Sequence, residues 1–258
     1  MNVKQLLSLK DKVILVTGGA GNYGKCIVEG LGEAEGTVIT ASRNLDAGEA
    51  FAAQCRERGL DVHAMKLDQA DHESVLKLKE DIVSQFSGLD VLVNNAVARP
   101  AKGYGASLDS LQESLAVNGV GVMDLTREMV EIIGKRGSGV IVNIASMMGM
   151  FGPDLSNYEG TDMGDPCPDY AFHRGGMINY TRYLARVLAD KNIRANCISP
   201  GGLFNHQNPI FVDNYSRKVP AGRMANNDDI KGLAVLLASD ASAYINGENI
   251  LMDGGMHC

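Results

Sequence analysis

In the stretch PDYAFHRGGMINYTRYLA, Pro168 to Ala185, a tyrosine and an arginine stand four residues apart at the start of an amphipathic helical pattern. Residues so spaced share one face of a helix, one turn from each other. A phenol can exchange a proton near neutral pH only if a neighbouring cation draws its pKa down from about 10, and Arg174 puts a cation one turn from Tyr170. The pair is equipped for acid/base work on an oxygen. Two other residues carry usable chemistry: Ser146, at the end of GVIVNIAS, and Asn118, in an apolar helical stripe where a buried amide requires partners. His173 is an alternative base. As a lone histidine at a helix start, with no HxxxH or Cys/His cluster in the chain, it reads as a packing or hydrogen-bonding residue, and no metal site is expected.

Those residues need a frame. The runs KVILVTG, TVITAS, DVHAMKL, DVLVNNA, GVIVNIAS, RANCISPG and NILMDGG read as strands, with helix-length amphipathic segments between them. Such alternation predicts an α/β fold: a doubly wound parallel sheet of about seven strands with helices on both faces, ligands binding at the carboxyl ends of the strands. Every motif with usable chemistry falls at that end. From Ser107 to Ile133, Leu111, Leu115, Val122, Leu125 and Met129 share a helical stripe with Asn118, which predicts a continuous helix. Two stretches break the rhythm, 151–169 after the fifth strand and 201–227 after the sixth; long loops at the ligand end predict substrate loops or lids. No repeat, low-complexity tract or linker divides the chain, so 1–258 reads as a single domain.

The stretch VILVTGGAGNYGKCIVEGL carries Gly18, Gly21 and Gly24 between the first strand and a helix that opens on Asn22 and Tyr23. Absent side chains let the backbone approach a pyrophosphate, and the helix N-terminus faces it. At the end of the second strand, Ser42 and Arg43 stand where an NAD-binding chain usually offers an aspartate to the ribose hydroxyls. An arginine there suits a 2′-phosphate. NADP(H) is therefore the expected cofactor, with NAD(H) left open, because a solvated loop arginine is the competing interpretation of Arg43.

Taken together, TGGAGNYG, VNNA, VNGVG, IVNIAS, YAFHR, SPGG and the terminal DGG resemble the short-chain dehydrogenase/reductase family over nearly the whole chain. The resemblance implies a Rossmann-type fold, Tyr170 as acid/base, Ser146 orienting the substrate oxygen, and Asn118 anchoring a proton-relay water. It implies further that Asp68 lies near the adenine, that Asn94, Asn95 and Ala96 form the floor of the cofactor site, that Pro200 and Gly201 border it, and that the protein is a homotetramer or homodimer. Three departures stand out. Arg174 replaces the lysine of the family's YxxxK pattern, keeping the charge but losing a relay-competent ammonium. Val97 replaces the last glycine of NNAG. The spacing TGxxGxxG resembles that of the extended sugar-nucleotide epimerases and dehydratases, although the chain length fits the classical group.

The chain has 258 residues, 45% of them hydrophobic, and a formal charge of −7 from 24 basic and 31 acidic residues. No basic block or basic amphipathic helix is present, which argues against nucleic-acid or membrane partners and for a small-molecule substrate. Five scattered cysteines without a CxxC pair, and an N-terminus without an apolar signal-like run, lead to an expected cytoplasmic location. The insertion 151–169 holds Asp154, Glu159, Asp162, Asp165 and Asp169 and no lysine or arginine. Carboxylates can bind several hydroxyls or an ammonium, so a sugar-like substrate is expected, the alternative being a solvated acidic loop. YEGTDM, NCISPGGLFN and the C-terminal segment resemble oxidoreductases of bacterial nonulosonate and flagellin-glycan pathways, which implies a phosphorylated or nucleotide-linked sugar. Arg99 and Lys102 after the fourth strand are candidates for holding an anionic group. The competing functions are a catalytically lapsed cofactor-binding homologue and an epimerase or dehydratase with no net cofactor turnover.

Overall fold

The computed structural model describes all residues from Met1 to Cys258. Each apolar run forms a strand: β1 Val13–Thr17, β2 Thr37–Ser42, β3 Val62–Lys66, β4 Val91–Asn94, β5 Gly139–Ile144, β6 Ile193–Pro200 and β7 Asn249–Met252. They pair in the order β3-β2-β1-β4-β5-β6-β7, all parallel. Parallel neighbours require long crossovers, and these carry most of the helices. In chain order the helices are α1 Val3–Leu7, α2 Asn22–Glu33, α3 Leu45–Glu57, α4 His72–Phe86, α5 Leu108–Leu115, α6 Val122–Gly134, α7 Pro168–Val187, α8 Pro209–Ser216 and α9 Lys231–Ala238.

Side chains alternate along a strand, so β1 sends Ile14 and Val16 into one apolar layer and Val13 and Leu15 into the other. The first layer is closed by α2, α3 and α9 through Ile27, Phe51 and Leu237. The second is closed by α4, α6 and α7 through Leu78, Met129 and Leu184. Burying one Leu or Ile contributes roughly 1.5–3 kcal/mol, and the strands lie between two such layers. Their carboxyl ends are consequently held in place from both faces. The connections leave β1 and β4 in opposite directions, opening a crevice at those ends.

The continuous helix expected over 107–133 is interrupted. Between α5 and α6 lies a π-helical turn, Ala116–Gly121, with Asn118 inside it. A π turn takes one extra residue and rotates the faces before it relative to those after it. Leu115, expected on the buried stripe, is therefore 46% exposed, and Ser114 is buried instead; Val122, Leu125 and Met129 are buried as expected.

The two ligand-end stretches pack on each other. Tyr158 meets Phe211 edge-on at 5.1 Å, Asn214 Nδ2 donates to Glu159 O at 3.0 Å, and Lys218 Nζ reaches Asp154 Oδ2 at 2.7 Å and Asn157 Oδ1 at 2.8 Å. No helix is long and apolar enough to cross a membrane.

Candidate active site

A cavity of about 850 Å³ runs along the carboxyl ends of the strands. Gly18, Gly21, Asn22, Tyr23, Gly24, Ser42, Arg43, Asp68, Asn95, Ala96, Pro200 and Gly201 line it, as do Ser146, Tyr170 and Arg174. Of the residues singled out for chemistry, Asn118, Asn94, His173 and Lys102 do not, whereas Arg99 does.

The turn after β1 is built for close backbone approach. Gly18 has φ +64°, and a Cβ at Gly24 would overlap the carbonyl oxygen of Gly18, so both positions exclude a side chain. The N-cap of α2, Gly21, offers no side-chain hydrogen bond; the first-turn N–H groups are thus left to a ligand. Asn95 locks the turn from the neighbouring strand, its Nδ2 donating to Thr17 O at 2.9 Å and Gly18 O at 3.1 Å. Thr17 Oγ1 accepts the N–H groups of Asn95 and Ala96, both at 3.0 Å. Asn94 differs from the expectation that it floors the cofactor site. One residue earlier on the pleat, it points into the second layer and donates to Thr126 Oγ1 (3.0 Å) and Asn143 Oδ1 (2.9 Å).

At the end of β2, Arg43 is exposed at the cavity with no acidic partner. Lys66, which nothing in the sequence marks out, donates from Nζ to Arg43 O at 2.5 Å and adds a second cation beside that loop. Asp68 is fixed by the N–H of Ala70 on its Oδ1 at 3.1 Å, and Val97, 39% exposed, lines the cavity.

Helix α7 begins with Pro168 at its first position, where proline's fixed φ and missing N–H cost nothing. Tyr170 follows one residue behind buried Asp169, and Arg174 is buried to 5% exposure. Arg174 Nη1 donates to Ile144 O at the end of β5 at 2.6 Å, while Nε is buried with no partner. Its Cζ lies 5.0 Å from the centre of the Tyr170 ring. No carboxylate pairs with this buried guanidinium, and the phenol is among the groups on which its charge acts. Arg99 adds a second guanidinium, with Cζ 4.4 Å from the same ring. Burial alone would raise the Tyr170 pKa; the charges of Arg174 and Arg99, with hydrogen bonding from Ser146, outweigh it and hold the phenol below the ordinary tyrosine range.

Ser146 sits in extended backbone after β5, and its Oγ accepts the Met148 N–H at 3.2 Å. That bond leaves its own O–H for the Tyr170 phenol or for a ligand oxygen beside it. The turn it opens can touch α7 only because of Gly149, where a Cβ would come within 2.5 Å of the Arg174 carbonyl carbon. That glycine has no motif around it, and nothing in the sequence flags it.

Asn118 is placed otherwise than on the cavity wall. Its Oδ1 accepts the Ala98 N–H at 2.9 Å, and its Nδ2 donates to Ala98 O at 2.8 Å and Ser114 Oγ at 3.0 Å. Both Nδ2 protons and one Oδ1 lone pair are used in clamping the segment after β4 to α5. Behind it, Ser114 Oγ also bonds Asp169 Oδ2 and meets His173 Nε2 at 3.1 Å. His173 is thus a hydrogen-bonding residue of the α5–α7 contact. Burial, joined by the Arg174 charge, lowers its pKa.

The acidic residues of 151–169 are mostly spent on structure. Asp154 holds Lys218, Asp162 accepts from Asn208 Nδ2 at 3.1 Å, and Asp169 faces Ser114. Only Asp165 among them lines the cavity. Lys218, Asn208 and Asn214, which tie the two ligand-end stretches together, follow no local pattern in the sequence.

A family model described as enoyl-(acyl carrier protein) reductase matches residues 19–257. The chain is 30% identical to the 3-oxoacyl-[acyl-carrier-protein] reductase of Aquifex aeolicus, over 97% of this chain and 99% of that one. It is 31% identical to the 2-dehydro-3-deoxy-D-gluconate 5-dehydrogenase of Pseudoalteromonas atlantica, over 96% of both. With the post-translational flagellin modification protein A of Campylobacter coli it shares 28% over 96% of this chain and 98% of that one, in line with the flagellin-glycan resemblance. Among solved structures, the Burkholderia cenocepacia gluconate 5-dehydrogenase in complex with NADP and tartrate superposes with a TM-score of 0.87 at 26% identity, covering 99% of this chain and 98% of that one. A Leptospira borgpetersenii short-chain dehydrogenase with bound NAD+ superposes with a TM-score of 0.85 at 28% identity, covering 100% and 96%. The chain belongs to the classical short-chain dehydrogenase/reductase family of NAD(P)-dependent oxidoreductases.

Proposed function

We propose that the protein transfers hydride between a nicotinamide dinucleotide, NADP(H) in preference to NAD(H), and a carbonyl or hydroxyl of a sugar-like substrate, with Tyr170 as acid/base. The observation that carries this is the buried, acid-free Arg174 guanidinium against the Tyr170 ring. A cation so placed stabilises phenolate, the form that accepts a proton.

The residues present fit a dinucleotide. The Gly18 to Gly24 turn and the uncapped start of α2 suit the pyrophosphate, Ser42 and Arg43 the adenine ribose and its 2′-phosphate, Asp68 the adenine, and Asn95, Ala96, Pro200 and Gly201 the nicotinamide half. When bound, the cofactor supplies the hydride donor or acceptor. The chain does the remainder. Ser146 donates its O–H to the substrate oxygen, and Tyr170 gives that oxygen a proton in reduction or takes one in oxidation. Arg174, braced on Ile144 O, keeps the phenol ionisable. The relatives of the chain include reductases and dehydrogenases, which supports redox turnover over a lapsed or epimerising homologue. A sugar-like substrate is supported by the two gluconate-type dehydrogenases among them.

A screen of sugars, sugar acids and sugar phosphates with NADP(H) and NAD(H), read at the nicotinamide absorbance, tests this. Turnover should appear with the wild type and fall at least about a hundredfold in Tyr170→Phe, with cofactor affinity nearly unchanged. Turnover that survives Tyr170→Phe would assign the proton to another group.

A further inference from the structure

We propose that Arg99 is the anchor for a carboxylate on the substrate, so that the substrate is a sugar acid and not a neutral or amino sugar. This rests on the redox reading and specifies the substrate of that same site.

Arg99 is exposed, lines the cavity and has no carboxylate within ion-pair distance, yet its guanidinium stands 4.4 Å from the centre of the Tyr170 ring. Its backbone is held in place. Asn118 bonds both main-chain groups of the preceding residue, Ala98, so the side chain starts from a fixed point beside the acid/base. Arg174 has one end of its fork committed to Ile144 O; Arg99 makes no hydrogen bond within the protein and keeps its fork whole for a ligand. A planar fork matches a carboxylate with two parallel hydrogen bonds.

The local charge balance points the same way. Two cations, Arg99 and Arg174, meet one carboxylate, Asp165, on the substrate side of the cavity, because Asp154, Asp162 and Asp169 are bound elsewhere and Glu159 does not line it. An ammonium would meet an unfavourable field there and a carboxylate a favourable one. Asn205 lines the same cavity with an uncommitted side-chain amide, suited to a hydroxyl. Since the anchor lies against the ring of the residue that handles the reacting oxygen, only a short carbon chain fits between the anion and the reacting carbon. That separation favours a carboxylate of the sugar itself over a phosphate ester at its far end.

The test uses a panel of aldonates of four to six carbons, the matching neutral alditols and the matching sugar phosphates, with wild type, Arg99→Ala and Arg99→Lys. The wild type should prefer an aldonate. Arg99→Ala should raise the aldonate KM about ten- to hundredfold, the loss expected for a charge-assisted pair, with the alditol KM and the NADPH dissociation constant measured by fluorescence little changed; kcat, which also carries the Arg99 charge on Tyr170, should fall by the same factor for both substrates. Arg99→Lys should recover part of the loss. An equal rise in KM on aldonate and alditol, or a preference for sugar phosphates, would overturn the anchor. If nothing in the panel turns over, calorimetry of aldonate binding to the NADP-loaded protein separates the two ideas. Binding lost in Arg99→Ala would sustain the anchor and leave the redox reading in error; no binding to wild type would remove the anchor.

Discussion

The cofactor half and the substrate half of the cavity are made of different materials. The cofactor half is backbone: Gly24 comes so close to the Gly18 carbonyl that it cannot hold a Cβ, Gly18 itself has φ +64° against Ala96, and Asn95 fastens their turn through main-chain carbonyls. The substrate half is side chains brought from far apart. Lys218 and Asp154 meet across 64 residues of chain, and Asn208 and Asp162 across 46. Backbone geometry accepts few residue types at each position, whereas a side-chain wall can be rebuilt by many substitutions. The first half is therefore the less tolerant of substitution and the second the more tolerant.

If the halves are energetically separate, a change in one leaves the other alone. The larger effect is expected on the cofactor side. Arg43→Ala should weaken NADPH about ten- to hundredfold relative to NADH and leave the substrate KM intact, by fluorescence titration and steady-state kinetics. An unchanged ratio would show that Arg43 is only a solvated loop residue and that Lys66 or another group sets the preference. The smaller effect is expected on the substrate side. Lys218→Met cuts a partly exposed tie of a kind that contributes about 1 kcal/mol or less, so the substrate KM should rise about two- to fivefold with the NADPH dissociation constant unchanged. Equal loss of both would make the 151–169 stretch a support for the whole cavity and erase the distinction.

The same division explains what the sequence reveals. The inner strands are legible because parallel strands buried on both faces are short continuous apolar runs, the partly exposed edge strands β3 and β7 because they continue the β-α rhythm, and the glycine turn because a tight backbone permits few alternatives. The π turn is not. The stripe from Leu111 to Met129 has an unbroken helical period, and the extra residue at 116–121 depends on how Asn118 and Ser114 meet Ala98 and α7. Asn94 and Asn95 are adjacent in one motif, and only the phase of the pleat decides that Asn95 faces the cavity. The acidic stretch misleads in composition, because whether a carboxylate faces a ligand or a lysine is settled by residues far along the chain. Arg99 is visible in the sequence as a loop cation; its position over Tyr170 is not, since no spacing relates residue 99 to residue 170.

The central claim is that the Tyr170 phenol is kept ionisable by the guanidinium one turn along α7. Its most direct test is the pH dependence of oxidation, in wild type and in Arg174→Met and Arg174→Lys. Around Tyr170 stand Arg174, Arg99 and Ser146, and both cations favour phenolate over phenol. Oxidation needs the deprotonated phenol, so kcat/KM should rise with pH through a pKa below the ordinary tyrosine value, and reduction should fall over the same range. In Arg174→Met that limb should move to higher pH, and in Arg174→Lys it should remain near its wild-type position. A limb that stays in place in Arg174→Met would contradict the account and assign the titrating proton to a group other than Tyr170.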